Sequence, residues 1–114
     1  MMTFHAANFL RSTYPNGERF IALPRAVRGK DCVIVGTCAP PDGNLLTLCL
    51  LAHTLKGNGA RSVTAELPYL GYARQDVPEK QGSFAAQWVG RLLKGSGVDR
   101  VVTLDLHGRE AARA

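Results

Sequence analysis

The segment Pro68 to Asp76, PYLGYARQD, sets Tyr69, Tyr72, Arg74, Gln75 and Asp76 close together in one loop. Arg74 offers a planar fork for a phosphate or carboxylate, Gln75 a donor and an acceptor side by side, and the tyrosines flat faces for a base or sugar. The same residues also suit a loop tied down by its own Arg74 to Asp76 contact over packed tyrosines. Further along, Thr103, Asp105 and His107 fall at i, i+2 and i+4, so in a strand they share one face. A carboxylate and an imidazole pointing the same way fit a divalent metal or an acid and base pair. The plainer alternative is a strand-end histidine hydrogen-bonded to a neighbouring loop.

Two turns add candidates. Tyr14-Pro15-Asn16-Gly17-Glu18 has strong turn chemistry, from which Asn16 and Glu18 project to solvent, to a ligand or to a neighbouring subunit. In Pro40-Pro41-Asp42-Gly43-Asn44, Asp42 caps the helix that follows, or the helix start presents its amides to an anion. The sequence carries neither a P-loop nor a dinucleotide-binding glycine fingerprint. His5, near the start, and His53, within a leucine-rich helix, read as structural.

These residues must be held by elements legible in the pattern. Strands are predicted over Arg19 to Leu23, Asp31 to Gly36, Ser62 to Leu67 (ended by Pro68) and Arg100 to Leu106. Asp31 to Gly36 is a near-continuous apolar run, as in a strand covered on both faces. Helices are predicted over Asn44 to Lys56, with leucines at 45, 48, 51 and 55, and over Phe84 to Lys94, with Ser83 as N-cap. Gly57-Asn58-Gly59 and Gly95 with Gly97 close them. The order β-β-α-β-α-β, with crossovers long enough for a helix, predicts an α/β fold: a parallel sheet flanked by helices. Ligands in such folds bind beyond the carboxyl ends of the strands. Thr37 to Gly43, Pro68 to Gly82 and His107 onward leave those ends.

The chain has 114 residues, 46% hydrophobic and 20% charged, which suits one globular domain spanning residues 1–114. Lys and Arg total 14 against 9 Asp and Glu, a net charge of +5 spread without a block, so nucleic acid is not an expected partner. No apolar stretch approaches a membrane span and the start lacks a signal-peptide core. Cys32, Cys38 and Cys49 match neither a metal clip nor an even disulfide framework, and Cys32 and Cys49 read as buried free thiols. The expectation is a cytoplasmic protein.

Taken together, the residues resemble the N-terminal half of ribose-phosphate pyrophosphokinase. The matching elements are NGE at Asn16 to Glu18, VRGKDCVIVGT at Val27 to Thr37, PPDGNLL at Pro40 to Leu46, PYLGYARQD at Pro68 to Asp76 and GVDRVVTLDLH at Gly97 to His107. The resemblance implies a phosphoribosyltransferase-like (Rossmann-like) fold. It also implies transfer of pyrophosphate from ATP to ribose 5-phosphate with Mg²⁺, giving phosphoribosyl pyrophosphate for nucleotide biosynthesis. Arg74, Gln75 and Asp76 would then meet ATP and His107 the metal. Tyr14, Asn16 and Glu18 would reach the adenine of a neighbouring subunit in a homo-oligomer. Arg28 would lie near an inter-subunit effector site, with inorganic phosphate as activator.

The departures carry expectations too. Asn16 stands where the family usually has Asp, and Val77 where it usually has Arg. Met1 to Thr13 is expected to leave no room for the strand and helix that usually precede the NGE turn. The sugar-phosphate domain that completes the family's active site is not in this sequence, so no catalytic residue is assigned. Two functional readings follow: an ATP-side domain without turnover on its own, or a non-catalytic relative that binds nucleotide or a full-length synthase.

Overall fold

Alternating buried residues organise the structure, a computed structural model that describes residues 2–5, 11–37, 41–69 and 85–105. The chain runs β1 (Met2–His5), β2 (Arg11–Thr13), β3 (Arg19–Ile21), β4 (Asp31–Val35), α1 (Gly43–Gly57), β5 (Ser62–Tyr69), α2 (Ala85–Gly95) and β6 (Arg100–Asp105). β1, β4, β5 and β6 form a parallel sheet in that order, and β2 pairs antiparallel with β3. Each sheet strand is laid down on the same side of the one before. Right-handed crossovers then put both helices on one face.

Burial follows that geometry. On the helix face Phe4, Cys32, Ile34, Val63, Ala65 and Leu67 are buried; they pack with Leu45, Leu48, Leu51 and Leu55 of α1 and Val89 and Leu93 of α2. The four predicted leucines of α1 therefore point into the core. The opposite face carries the half-buried Val33, Val35 and Thr64 and the exposed Glu66, Arg100 and Val102.

Both helices end in the same way. Gly59 adopts φ +94°, its N–H donates to the Lys56 carbonyl (3.0 Å), and the Ala60 N–H donates to the Leu55 carbonyl (3.0 Å). In α2 the corresponding donors are Gly97, at φ +109°, to Lys94 (3.1 Å) and Val98 to Leu93 (3.0 Å). These Schellman ends satisfy the last carbonyls and turn the chain straight into the next strand. Of the glycines expected to stop the helices, Gly59 and Gly97 make the turn and Gly57 and Gly95 are still helical. At the start of α1, Asp42 is in the right-handed helical region and its side chain makes no capping hydrogen bond.

Three expectations are corrected. Room remains for a leading strand: Met2–His5 pairs with Cys32–Val35, because an edge strand needs only one ladder and one buried anchor, Phe4. The strand expected at Arg19 to Leu23 forms, but as β3 in the hairpin, not in the parallel sheet. Pro68 does not end its strand, which continues to Tyr69 opposite Asp105. The Glu66 carbonyl accepts from the Gly36 N–H (3.3 Å), so by alternation the Pro68 nitrogen faces the β4 side, beyond the last paired residue of β4. No ladder donor is lost there.

Polar staples hold the amino ends of the strands. The Asp99 carboxylate accepts the Val63 N–H (2.8 Å) and pairs with Lys56 Nζ (2.9 Å), and these contacts, Lys56 first, hold its pKa below the ordinary carboxylate value. Asp31 accepts from Arg61 and from the Ser62 hydroxyl (2.7 Å), which together hold its carboxyl well below that range. Cys32 is buried, as expected, and burial followed by the nearby Asp31 charge pushes its thiol up. Cys49 is only half-buried, and Cys38 lies outside the described residues. Among the described residues no helix is long and apolar enough to cross a membrane.

Candidate functional site

The β2–β3 hairpin owes its shape to YPNGE. The Gly17 N–H donates to the Tyr14 carbonyl (2.8 Å), and the Tyr14 N–H donates to the Glu18 carbonyl (2.7 Å). Pro15 and Asn16 occupy the turn centre and Gly17 takes φ +93°. This is the tight turn with a following left-handed glycine that three-residue hairpin loops favour. Tyr14 and Phe20 flank it, half exposed, with ring centroids 6.0 Å apart and planes tilted by 60°. The Asn16 side chain turns back onto Glu18: its Oδ1 accepts the Glu18 N–H (3.0 Å) and its Nδ2 donates to the Glu18 carboxylate. Tyr14, Asn16 and Glu18 are therefore brought together at one exposed tip, beside a carboxylate already oriented.

From the buried Ile21 the chain passes directly into the loop that carries Arg28. This loop lines an open cavity of about 580 Å³ with Arg25, Arg28, Thr54 and Asn58 among its walls. The Gly29 N–H donates to the Gly59 carbonyl (2.8 Å), docking the loop on the end of α1. Arg28 lies over Gly59 so closely that a Cβ there would sit 3.1 Å from its guanidinium. Asn58 donates to the Thr54 carbonyl (2.8 Å). Among the described residues the lining holds two arginines and no carboxylate, a charge balance that suits an anion.

Arg25 escapes a reading of the sequence alone. Its guanidinium lies 5.8 Å from the Phe4 ring centroid, a contact that requires the unforeseen β1. The i, i+3 spacing of Arg25 and Arg28 in PRAVR is the available signal.

At the carboxyl end of the sheet, Thr103 pairs with Leu67 and Asp105 with Tyr69. The Thr103 hydroxyl is buried and has no hydrogen-bond partner among the described residues. Arg74, Gln75, Asp76 and His107 lie outside the described residues. Among the described residues no three His, Cys, Asp or Glu side chains group to hold a metal ion.

Fold and site together define a Rossmann-like α/β domain with an anion-matched basic cavity beside an aromatic-tipped hairpin. A family model described as the N-terminal domain of ribose phosphate pyrophosphokinase matches residues 1–97. A ribose-phosphate pyrophosphokinase of Campylobacter jejuni is 42% identical over 96 residues, covering 82% of this chain and 31% of the relative. One from Helicobacter hepaticus is 40% identical over 101 residues, 85% of this chain and 32% of its own. The crystal structure of phosphoribosylpyrophosphate synthetase from Mycobacterium smegmatis superposes with a TM-score of 0.88 at 28% identity, covering 98% of this chain and 44% of that one. The chain belongs to the ribose-phosphate pyrophosphokinase family. It spans about a third of the length of the curated relatives it matches.

Proposed function

We propose that this chain supplies the ATP side of a ribose-phosphate diphosphokinase, the enzyme that moves the pyrophosphoryl group of ATP to the 1-hydroxyl of ribose 5-phosphate. The sugar hydroxyl attacks the β-phosphorus, the bond from that phosphorus to the α-phosphate oxygen breaks, and AMP leaves. The observation that carries the reading is the hairpin tip, where an exposed aromatic ring stands beside a carboxylate held by the Asn16 amide, a flat face and an acceptor for a nucleobase. In this reading the tip reads the adenine held by a second copy in a homo-oligomer, and Arg74, Gln75 and Asp76 take the ATP phosphates and sugar. His107 serves the Mg²⁺ that accompanies ATP; the metal neutralises phosphate charge. Arg28 and its cavity take inorganic phosphate as effector. The 114 residues alone hold nucleotide without turnover, since one half of the site does not fix both reactants in line. The protein acts in the cytoplasm, and its second reading is assembly with a full-length synthase.

Calorimetry with Mg-ATP on the purified chain and on Arg74→Ala tests the nucleotide site. The expected loss is about tenfold or more, the worth of one charge-assisted contact. Binding that is absent, or indifferent to the substitution, removes the proposal. An assay for AMP formed from ATP and ribose 5-phosphate tests the rest; robust turnover by the chain alone contradicts the assigned division of labour.

A further inference from the structure

We infer that Asn16 is a positioning residue that sets base selectivity through Glu18 and does not read the base itself. The inference rests on the nucleotide reading of the hairpin and adds which group does the reading and how it is held. Both polar atoms of the Asn16 amide are already directed onto Glu18: Oδ1 accepts its N–H at 3.0 Å and Nδ2 donates to its carboxylate. Glu18, two residues on, is exposed, and a free glutamate there would sample many rotamers. The amide clamp removes that freedom before a ligand arrives, so less ordering is left to be done on binding.

The chemistry of the clamp needs an amide. A carboxylate at position 16 could still accept the Glu18 N–H, but it has no proton to give and would set a second negative charge against Glu18. Asparagine supplies acceptor and donor together and leaves the tip with one oriented carboxylate. That carboxylate is an acceptor only, so it favours a base edge that carries an amino group and opposes one that carries a carbonyl. The Tyr14 ring, half exposed beside the turn, supplies the flat contact that holds either base. Adenine and hypoxanthine nucleotides differ at this edge, amino against carbonyl, and share the phosphates and ribose.

The experiment measures ATP and ITP affinity by calorimetry on the full chain, for the wild type, Asn16→Ala, Glu18→Gln and the double variant. The wild type is expected to prefer ATP, and Asn16→Ala to cut that preference by about tenfold while ITP affinity stays nearly unchanged. In the Glu18→Gln background, Asn16→Ala is expected to have no further effect, because a residue that acts through another loses its influence when that other is gone. A fall in ATP and ITP affinity by equal factors shows a merely structural role and overturns the inference. Additive effects of the two substitutions assign Asn16 a direct base contact and overturn it as well. ATP that does not bind, or that binds Glu18→Gln as it binds the wild type, overturns the nucleotide reading of the hairpin together with the inference. A clear Glu18 effect with no Asn16 effect overturns the inference alone.

Discussion

Replacing Gly59 by alanine sets a backbone conformation and an arginine position against each other at one atom. At φ +94° a side chain meets the left-handed penalty of about 1–2 kcal/mol, offset in part by the roughly 0.4–1 kcal/mol that alanine gains by restricting the unfolded chain. The new Cβ would also meet Arg28 at 3.1 to 3.2 Å, which its flexible side chain relieves by moving away from the cavity wall. The net expectation is a loss of about 1 kcal/mol of stability together with weaker phosphate binding. Gly57, two residues earlier, is the control. It is helical and exposed, and a methyl group added there would meet no atom within 4 Å, so Gly57→Ala should stabilise by about 0.5–1 kcal/mol. Urea unfolding separates the two: with a slope of about 1–2 kcal/mol per molar, the midpoints should move in opposite directions and differ by about 1 M. Calorimetry with inorganic phosphate should show weakening for Gly59→Ala only. Midpoints that move the same way refute the backbone argument, and unchanged phosphate affinity in Gly59→Ala refutes the link from Gly59 to Arg28.

Leu51 is fully buried in α1, and Leu51→Ala should cost about 3–4 kcal/mol in urea unfolding, a large part of the stability of a small domain; a loss under about 1 kcal/mol would mean that α1 does not pack as described. Asp99 has a folded-state pKa lowered by Lys56 and the Val63 N–H, so its contribution is fully present above its ordinary value of 3.8 and is lost as pH falls through the lowered value. The stability advantage of the wild type over Asp99→Asn should therefore be flat near neutral pH and shrink in strong acid, which urea midpoints across pH will show. Arg28→Ala should lower phosphate affinity by about tenfold at low salt and by less as ionic strength rises, measured by calorimetry at two salt concentrations.

Much of the architecture was legible in local pattern. The leucines at 45, 48, 51 and 55 recur at helical spacing and all four are buried, because a helix on a sheet must turn one stripe inward. Asp31–Val35 and Ser62–Glu66 pair in parallel register as their β-branched runs and intervening helix required. What escaped was set by distant partners. Met2–His5 is too short to announce itself, and its ladder comes entirely from β4. Arg19–Ile21 has the composition of a sheet strand, but its pairing with β2 takes it into the hairpin. Pro68 marks a strand end by local rule, and only the length of β4 decides that its missing N–H is not needed.

The site divides along the same line. Residue types and spacing alone determined the turn at Tyr14 to Glu18, the family resemblance and the nature of the groups available to a nucleotide, because turn chemistry and side-chain chemistry are local. Tertiary structure decided that Arg25 joins Arg28 around one cavity and that Gly59 sits beneath Arg28. Those facts depend on where the hairpin, the Arg28 loop and the end of α1 meet. That meeting point is fixed by core packing among residues far apart in the chain, which no local pattern encodes.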